Sequence, residues 1–363
     1  MANPYELWQT HTSLGMFRDS KPEDWYFGQF FTNQMRSTDE YIDFEKLPIR
    51  SRKLAPFVQP LGRGHGVFTD EQRGYRFKPA NVVVEDSVDP LRPLTFQPGL
   101  GEARFAMNKL TPVQRAALIK AEMLREMQLS VERTWEWMKA KAIIDGKVTC
   151  TYKDGKSVLV DFQRDAGHTV TYTASNRWGD SGISTLDGIK AIVDTMTDAE
   201  FGAMPTRMTV GTAVAPILQA DTEIRDHMDI NVKGGVHSID RGILPSPNMS
   251  KTYKLGDLYF AGGSGQKLEI WVNGEDYQTD AGVSTRYLGT KEVVFTGPAD
   301  AIMGYECFGM IVDPDAGYEA LPMFPKNFVT GERVKVENIS VESAPLMVPI
   351  NPNATLKIVQ AVA

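Results

Sequence analysis

Ser181 has the most suggestive chemical surroundings in the chain. Gly179-Asp180-Ser181-Gly182 is the nucleophile tetrapeptide of a chymotrypsin-type protease, with Ile183 where a further glycine is expected. Hydrolysis there would need a histidine base held by a carboxylate, and backbone donors for an oxyanion. The upstream candidates are His11, His65 and His168, none in the expected context, and Asp-Ser-Gly is also an ordinary turn. Gly62-Arg63-Gly64-His65-Gly66 has a phosphate-loop composition, but such loops open a helix and here Val67-Phe68 reads as a strand. Asp226-His227-Met228-Asp229 with His237 and Asp240 offers metal-ligating types without a ligand spacing. Asp313-Pro314-Asp315 is a fragment of a calcium loop lacking the twelfth-position Glu. No catalytic, cofactor-binding or metal residue is assigned, and no cofactor is expected; a serine hydrolase using Ser181 stays as an alternative.

The elements that would have to position such residues are clear in places. Thr111-Pro112-Val113-Gln114 supplies a capping hydroxyl, a first-turn proline and a glutamine able to bond back to the cap. Val113, Ala116, Lys120, Leu124, Met127, Val131, Trp135, Met138 and Ala142 then follow three or four apart, predicting one long helix over 111–145 that ends at Gly146. Lys147–Tyr152 and Lys156–Phe162 flank Asp154-Gly155, a tight hairpin. Ser184-Thr185-Leu186-Asp187 should open a helix carrying Leu186, Ile189, Val193 and Met196 on one face. Met208–Val210, Ile239–Leu244, Leu258–Ala261, Leu268–Val272 and Glu292–Phe295 read as strands, and Val214, Ile217 and Leu218 as part of a helix. Mixed strands and helices argue for an α+β class. Near the end, Val334 and Val336 differ in parity from Ile339 and Val341, so a bulge near Asn338 is expected.

At 363 residues the chain suggests two or three domains. A formal charge of −7 argues against a protein whose main task is to coat nucleic acid. Cys150 and Cys307 are too few for a disulfide scaffold and read as reduced and buried in a cytosolic setting. No secretion signal, membrane span or internal repeat is expected. Residues 1–40 are polar but rich in aromatics, including Trp25, Phe30 and Phe31. They read as an arm that buries those rings on something beyond itself, with a local satellite core as the alternative. Residues 41–95 read as a two-stranded excursion with a glycine-rich tip. From Lys46 to Lys78, eight basic residues (Lys46, Arg50, Arg52, Lys53, Arg63, Arg73, Arg76, Lys78) face only Asp70 and Glu71. That surplus of +6 within a chain at −7 leaves −13 elsewhere. A hairpin without a core of its own is marginal in water, so this one should rest on an acidic surface.

Phe324-Pro325-Lys326-Asn327-Phe328-Val329-Thr330, an extended strand, and Glu342-Ser343-Ala344-Pro345-Leu346-Met347 together resemble the C-terminal signature of lambda-like tailed-phage major capsid (head) proteins. Trp25-Tyr26-Phe27-Gly28-Gln29-Phe30-Phe31, Leu54-Ala55-Pro56-Phe57-Val58 and Phe77-Lys78-Pro79 extend the match backward, and the order of elements extends it over the chain. The resemblance implies a Hong Kong 97-like capsid fold. Residues 1–40 would be the N-terminal arm and 41–95 the extended loop. The peripheral domain would take 96–182 and 306–342, and the axial domain 183–305 and 343–363. It further implies pentamers and hexamers of the chain in an icosahedral shell around double-stranded DNA, and no catalytic residues. A decoration protein, a scaffold and a portal would be partners, with only weak non-specific contact to packaged DNA and none to a membrane. The setting would be the virion, assembled in the bacterial host cytoplasm. Related shells also form encapsulin-like cellular compartments, a second alternative. Trp25, Phe30, Phe31, Arg50, Arg52, Lys53, Arg63, Arg73 and Arg76 are the expected inter-subunit contacts.

Overall fold

A 34-residue helix, Pro112–Asp145 (α1), about 50 Å long, carries the fold. The computed structural model describes residues 13, 25–45, 74–88, 112–227, 251–259, 267–279, 281–331 and 336–363. Before α1, a 3-10 turn, Phe27–Phe30, precedes strands β1 (Asn33–Arg36), β2 (Ile42–Glu45), β3 (Gly74–Phe77) and β4 (Val82–Val88). After it come β5 (Lys147–Thr151), β6 (Ser157–Asp161), β7 (Thr169–Thr171), α2 (Thr185–Asp198), β8 (Arg207–Val210), α3 (Ala215–Ala220) and α4 (Thr222–His227). The middle continues with β9 (Thr252–Tyr259), β10 (Lys267–Asn273), β11 (Asp276–Gln278), β12 (Ser284–Arg286) and β13 (Val293–Thr296). The last part comprises α5 (Ala299–Ile302), β14 (Gly304–Phe308), β15 (Phe324–Thr330), β16 (Val336–Ser343), β17 (Pro345–Pro349) and β18 (Thr355–Val359).

The two halves of α1 have different surroundings. Its N-terminal half lays Met123, Leu124, Met127 and Val131 on a three-stranded sheet in the order β15-β16-β4, against Ile339 and Val341. Lys120 is buried there and is answered by Glu337 at 2.5 Å. Its C-terminal half is covered by the β1-β14-β17 sheet, the β5-β6 hairpin and the aromatic segment before β1, so Ala140, Ala142, Ile143 and Ile144 are all buried. A separate core fills a six-stranded sheet, β7-β18-β13-β8-β10-β9, where Ile189 and Met196 of α2 meet Met208, Phe295 and Ile358. α2 starts at Thr185 as expected, and Ser184 caps it, its hydroxyl accepting from Asp187 N at 3.2 Å.

The end of α1 joins these parts. Gly146 has φ +65°, and a β-carbon there would also press on the Arg164 side chain at 3.0 Å. Arg164 donates through Nη1 to the last-turn carbonyls of Ile143 and Ile144, at 3.1 and 3.0 Å, and through Nη2 to Thr169 of β7. These carbonyls have no partner within the helix, so the guanidinium both satisfies them and meets the negative end of the helix dipole. Burial pulls Arg164 down to about 10, which leaves it charged at neutral pH. Asp145 meets Lys357 of β18 at 2.9 Å, and Lys357 also meets Glu292 at 2.8 Å.

One sequence expectation changes. β16 pairs with β15 and β4 without a register shift, so there is no bulge at Asn338. Val336 lies on the opposite face from Ile339 and Val341, alongside a buried Asn338 that donates to Thr330 Oγ1. β4, within 41–95, is the third strand against α1. β1, within 1–40, pairs parallel with β14 of the same chain. β7 pairs with β18, and Trp178 bridges to Val362. β2 and β3, at the two ends of the expected excursion, pair antiparallel, Ile42 opposite Phe77. Residues 46–73, its tip and most of its charge, and Ile239–Leu244 lie outside the described residues.

Removing the Arg164 guanidinium strands two buried helix-end carbonyls. Arg164→Ala is expected to cost at least about 2 kcal/mol. It should lower the urea midpoint without changing the slope of the transition. An unchanged midpoint would show that water caps the helix equally well.

Candidate functional site

Among the described residues, the densest meeting of distant elements is the seat of the aromatic segment Tyr26–Phe31. Its rings are apolar and close together in sequence, so burying them requires a surface the segment does not itself contain. The 3-10 turn splays them apart: Gln29 Nε2 donates to Tyr26 O at 2.6 Å, and Phe31 N to Gly28 O at 3.0 Å. Tyr26, Phe27, Phe30 and Phe31 are each no more than 4% exposed. At ordinary values for a fully buried aromatic, each contributes about 2–3 kcal/mol of transfer free energy.

The seat has three walls. On the six-stranded sheet, Tyr26 Oη lies 2.7 Å from Thr209 Oγ1, and its ring centroid 6.2 Å from that of Trp271. Arg207 Cζ sits 5.7 Å from the Phe30 centroid and 5.1 Å from that of Trp271, a guanidinium shared by a ring of the segment and a ring of the sheet. Glu269 fixes that guanidinium at 3.4 Å and accepts from Trp271 Nε1 at 3.1 Å. Burial opposes its ionisation, but Trp271, Lys254 and Arg207 overcome this and hold the carboxyl down at about 2. On β14, Gly304 lies so close that a β-carbon would stand 2.3 Å from Phe30 O, so only glycine lets the segment cross there. On α1, Glu136 Oε1 accepts from Phe27 N at 2.6 Å. Burial pushes the Glu136 carboxyl up to about 7, against the pull of Lys139 and the N–H groups of Phe27 and Gly28. Lys139 itself meets Glu306 of β14 at 2.5 Å. A notch of about 470 Å³ opens between Gln29, Phe30, Arg207, Lys267, Glu269 and Pro298.

This arrangement holds and orients a segment of chain. Phe30 and Phe31, expected to await a neighbour, are covered by their own subunit, because β14, α1 and the six-stranded sheet converge on them. Trp25 is half-buried, with no hydrogen bond at its Nε1 among the described residues. Farther upstream, Ser13 is buried and accepts from Asn327 of β15, a second attachment of the N-terminal region to its own chain. Arg76 is exposed, its guanidinium 5.8 Å from the Tyr41 ring centroid. Arg50, Arg52, Lys53, Arg63 and Arg73 lie outside the described residues.

The chemical candidates are dispersed. Ser181 is exposed in a turn, while His168 is buried with Nδ1 2.9 Å from Thr355 O. Asp313 and Asp315 close on Lys326, at 2.7 and 2.8 Å, so an ammonium fills the place a calcium ion would take. His227 ends α4, and His237 and Asp240 lie outside the described residues. Sequence reasoning missed Glu136, Arg207, Glu269 and Trp271. Only Glu136 left a local signal, a carboxylate on a helix turn between Trp135 and Met138.

Comparison with known proteins gives the arrangement a context. The family model described as phage major capsid protein E matches residues 18–360. The major capsid protein of Enterobacteria phage phi80 is 26% identical over 316 residues, 84% of this chain and 85% of that protein. That of Escherichia phage lambda is 23% identical over 334 residues, 89% of this chain and 90% of that protein. The crystal structure of an Escherichia coli CFT073 prophage protein, described as a capsid protein, superposes with a TM-score of 0.69. It shares 16% identity and covers 99% of this chain and 100% of its own.

The shared guanidinium generates a test. Arg207→Lys keeps the charge but loses the flat face, so the segment should loosen by about 1 kcal/mol. In a double-mutant cycle with Phe30→Leu, urea unfolding should show coupling of that size. Strict additivity would mean the stacked contact contributes nothing.

Proposed function

The chain belongs to the phage major capsid protein E family, and we propose that its copies close into the icosahedral head shell around the double-stranded DNA of a tailed bacteriophage. The observation that carries this reading is the family match over 18–360, together with a shared fold along the whole chain. The fold is the α+β, Hong Kong 97-like capsid fold. Three physical features support the role. A stiff helix joins two sheets, so displacement at one end is passed to the other. Basic and acidic residues are segregated along the chain, which suits heterologous contacts between identical copies. The net charge of −7 limits attraction to packaged phosphates.

On this reading α1 with β4, β15 and β16 forms the peripheral domain. The six-stranded sheet with α2, α3 and α4 forms the axial domain, including β7 and Trp178. The copies meet as pentamers and hexamers, with a decoration protein, a scaffold and a portal as partners, and assembly proceeds in the host cytoplasm. The excursion above β2 and β3 carries its +6 charge to an acidic surface on an adjacent copy. Each exposed pair is worth only about 0–1 kcal/mol, but repetition at every subunit contact selects one register.

Negative-stain microscopy of the expressed full-length chain tests assembly directly. Closed shells are expected; a population confined to small species would overturn the reading. Replacing Arg50, Arg52 and Lys53 with glutamate brings the 46–78 segment to neutrality. That variant should stay folded and soluble yet assemble poorly, and normal shells at low salt would show that the charge is merely solvated.

A further inference from the structure

We propose that Glu136 is a proton-operated latch for the N-terminal segment: neutral, it lets Trp25–Phe31 lie closed on the spine helix; ionised, it loosens that segment from its own subunit. This goes beyond the capsid reading and does not depend on it.

Glu136 is 2% exposed, on the buried face of the C-terminal half of α1. Oε1 accepts from Phe27 N at 2.6 Å, and the carboxyl also faces Gly28 N. These are the first N–H groups of the Phe27–Phe30 turn, so a side chain from a distant element caps the segment's only helical turn. Oε2 is buried with no hydrogen bond among the described residues. A carboxylate in that position would keep one oxygen dry and unpaired, which is costly.

The surrounding charges do not remove that cost. On α1 itself Lys139 is the nearby cation, and it is already bound by Glu306 of β14 at 2.5 Å, whose own charge opposes that of Glu136. Glu132 and Arg133 lie one turn earlier on α1, and Arg133 is exposed. From the segment around β11 and β12, Tyr287 faces Glu136, with Tyr277 and Glu275 behind it. The Trp25–Phe31 segment contributes Tyr26 and no formal charge, and Arg207 and Glu269 beyond Tyr26 serve each other. Desolvation therefore dominates, and the carboxyl stands near 7 in the closed state against an ordinary 4.5.

The sign follows by linkage. An open segment admits water, and Glu136 returns to its ordinary value. Between about 4.5 and 7 the closed state holds the extra proton. Closure is thus tightest below about 4.5, weakens up to tenfold per pH unit, and levels off above about 7. The whole span is roughly 300-fold in the opening equilibrium.

Hydrogen exchange on the full-length chain, corrected for intrinsic rates, reads this at residues 25–31. In the wild type, protection there should fall roughly 25-fold from pH 5.5 to 8, the window across which most of that linkage remains. Glu136→Gln keeps an acceptor for Phe27 and Gly28 but cannot ionise, so its protection should stay high and flat. The same pH dependence in Glu136→Gln, or none in the wild type, overturns the latch. If the variant fails to fold, infrared titration of the wild type decides. A buried protonated-carboxyl band that disappears near neutral pH supports the proposal, and its absence overturns it.

Discussion

Enclosing a charged helix is the constraint on which the rest of this structure depends. The C-terminal half of α1 is surrounded, yet it carries Glu136, Lys139 and Asp145, and its N-terminal half buries Lys120. Each charge must be answered from another part of the chain, because an unpaired buried charge costs several kcal/mol. Glu337 of β16 answers Lys120, Glu306 of β14 answers Lys139, and Lys357 of β18 answers Asp145. The N–H groups of Phe27 and Gly28 meet the Glu136 carboxyl, which burial pushes toward its neutral form. Such pairs add little net stability over apolar packing. What they fix is register: three strands and one turn are each tied to a single position along the helix.

The apolar contacts supply the energy that this pairing directs. Three cores meet α1 or lie beside its end, and the helix passes from one to the next without a break. Arg164 and Gly146 turn the chain at that end, and Asp145 joins it to the six-stranded sheet through Lys357. A rigid rod anchored at both ends to sheets suits a wall component, in which load must cross the subunit.

Much of this was legible locally. The spacing from Val113 to Ala142 gave the long helix, Asp154-Gly155 the hairpin and Ser184-Thr185-Leu186-Asp187 the start of α2, because turn chemistry and periodicity act within a few residues. Partners across the chain were not legible. The bulge at Asn338 was inferred by requiring all four apolar residues to share a face. In the structure the polar face is also covered, and Asn338 satisfies itself on Thr330. The aromatics of residues 25–31 stood out at once, but a row of rings does not say which surface covers them. That surface comes from Thr209, Trp271 and Glu136, at least about a hundred positions away. The charge of the 46–78 segment was legible as a count, and its receiving surface was not.

The central claim is that the aromatic segment is closed on the spine helix of its own subunit, held by apolar packing and by a buried carboxyl that the helix must satisfy. A map of the assembled particle, at a resolution that traces the main chain from residue 25 to residue 45, measures this directly. The account predicts continuous density from Trp25–Phe31 through β1 to β2 within one subunit, with Phe27 against Glu136 of that same copy. Density carrying Trp25–Phe31 across to the helix of a neighbouring copy would contradict it.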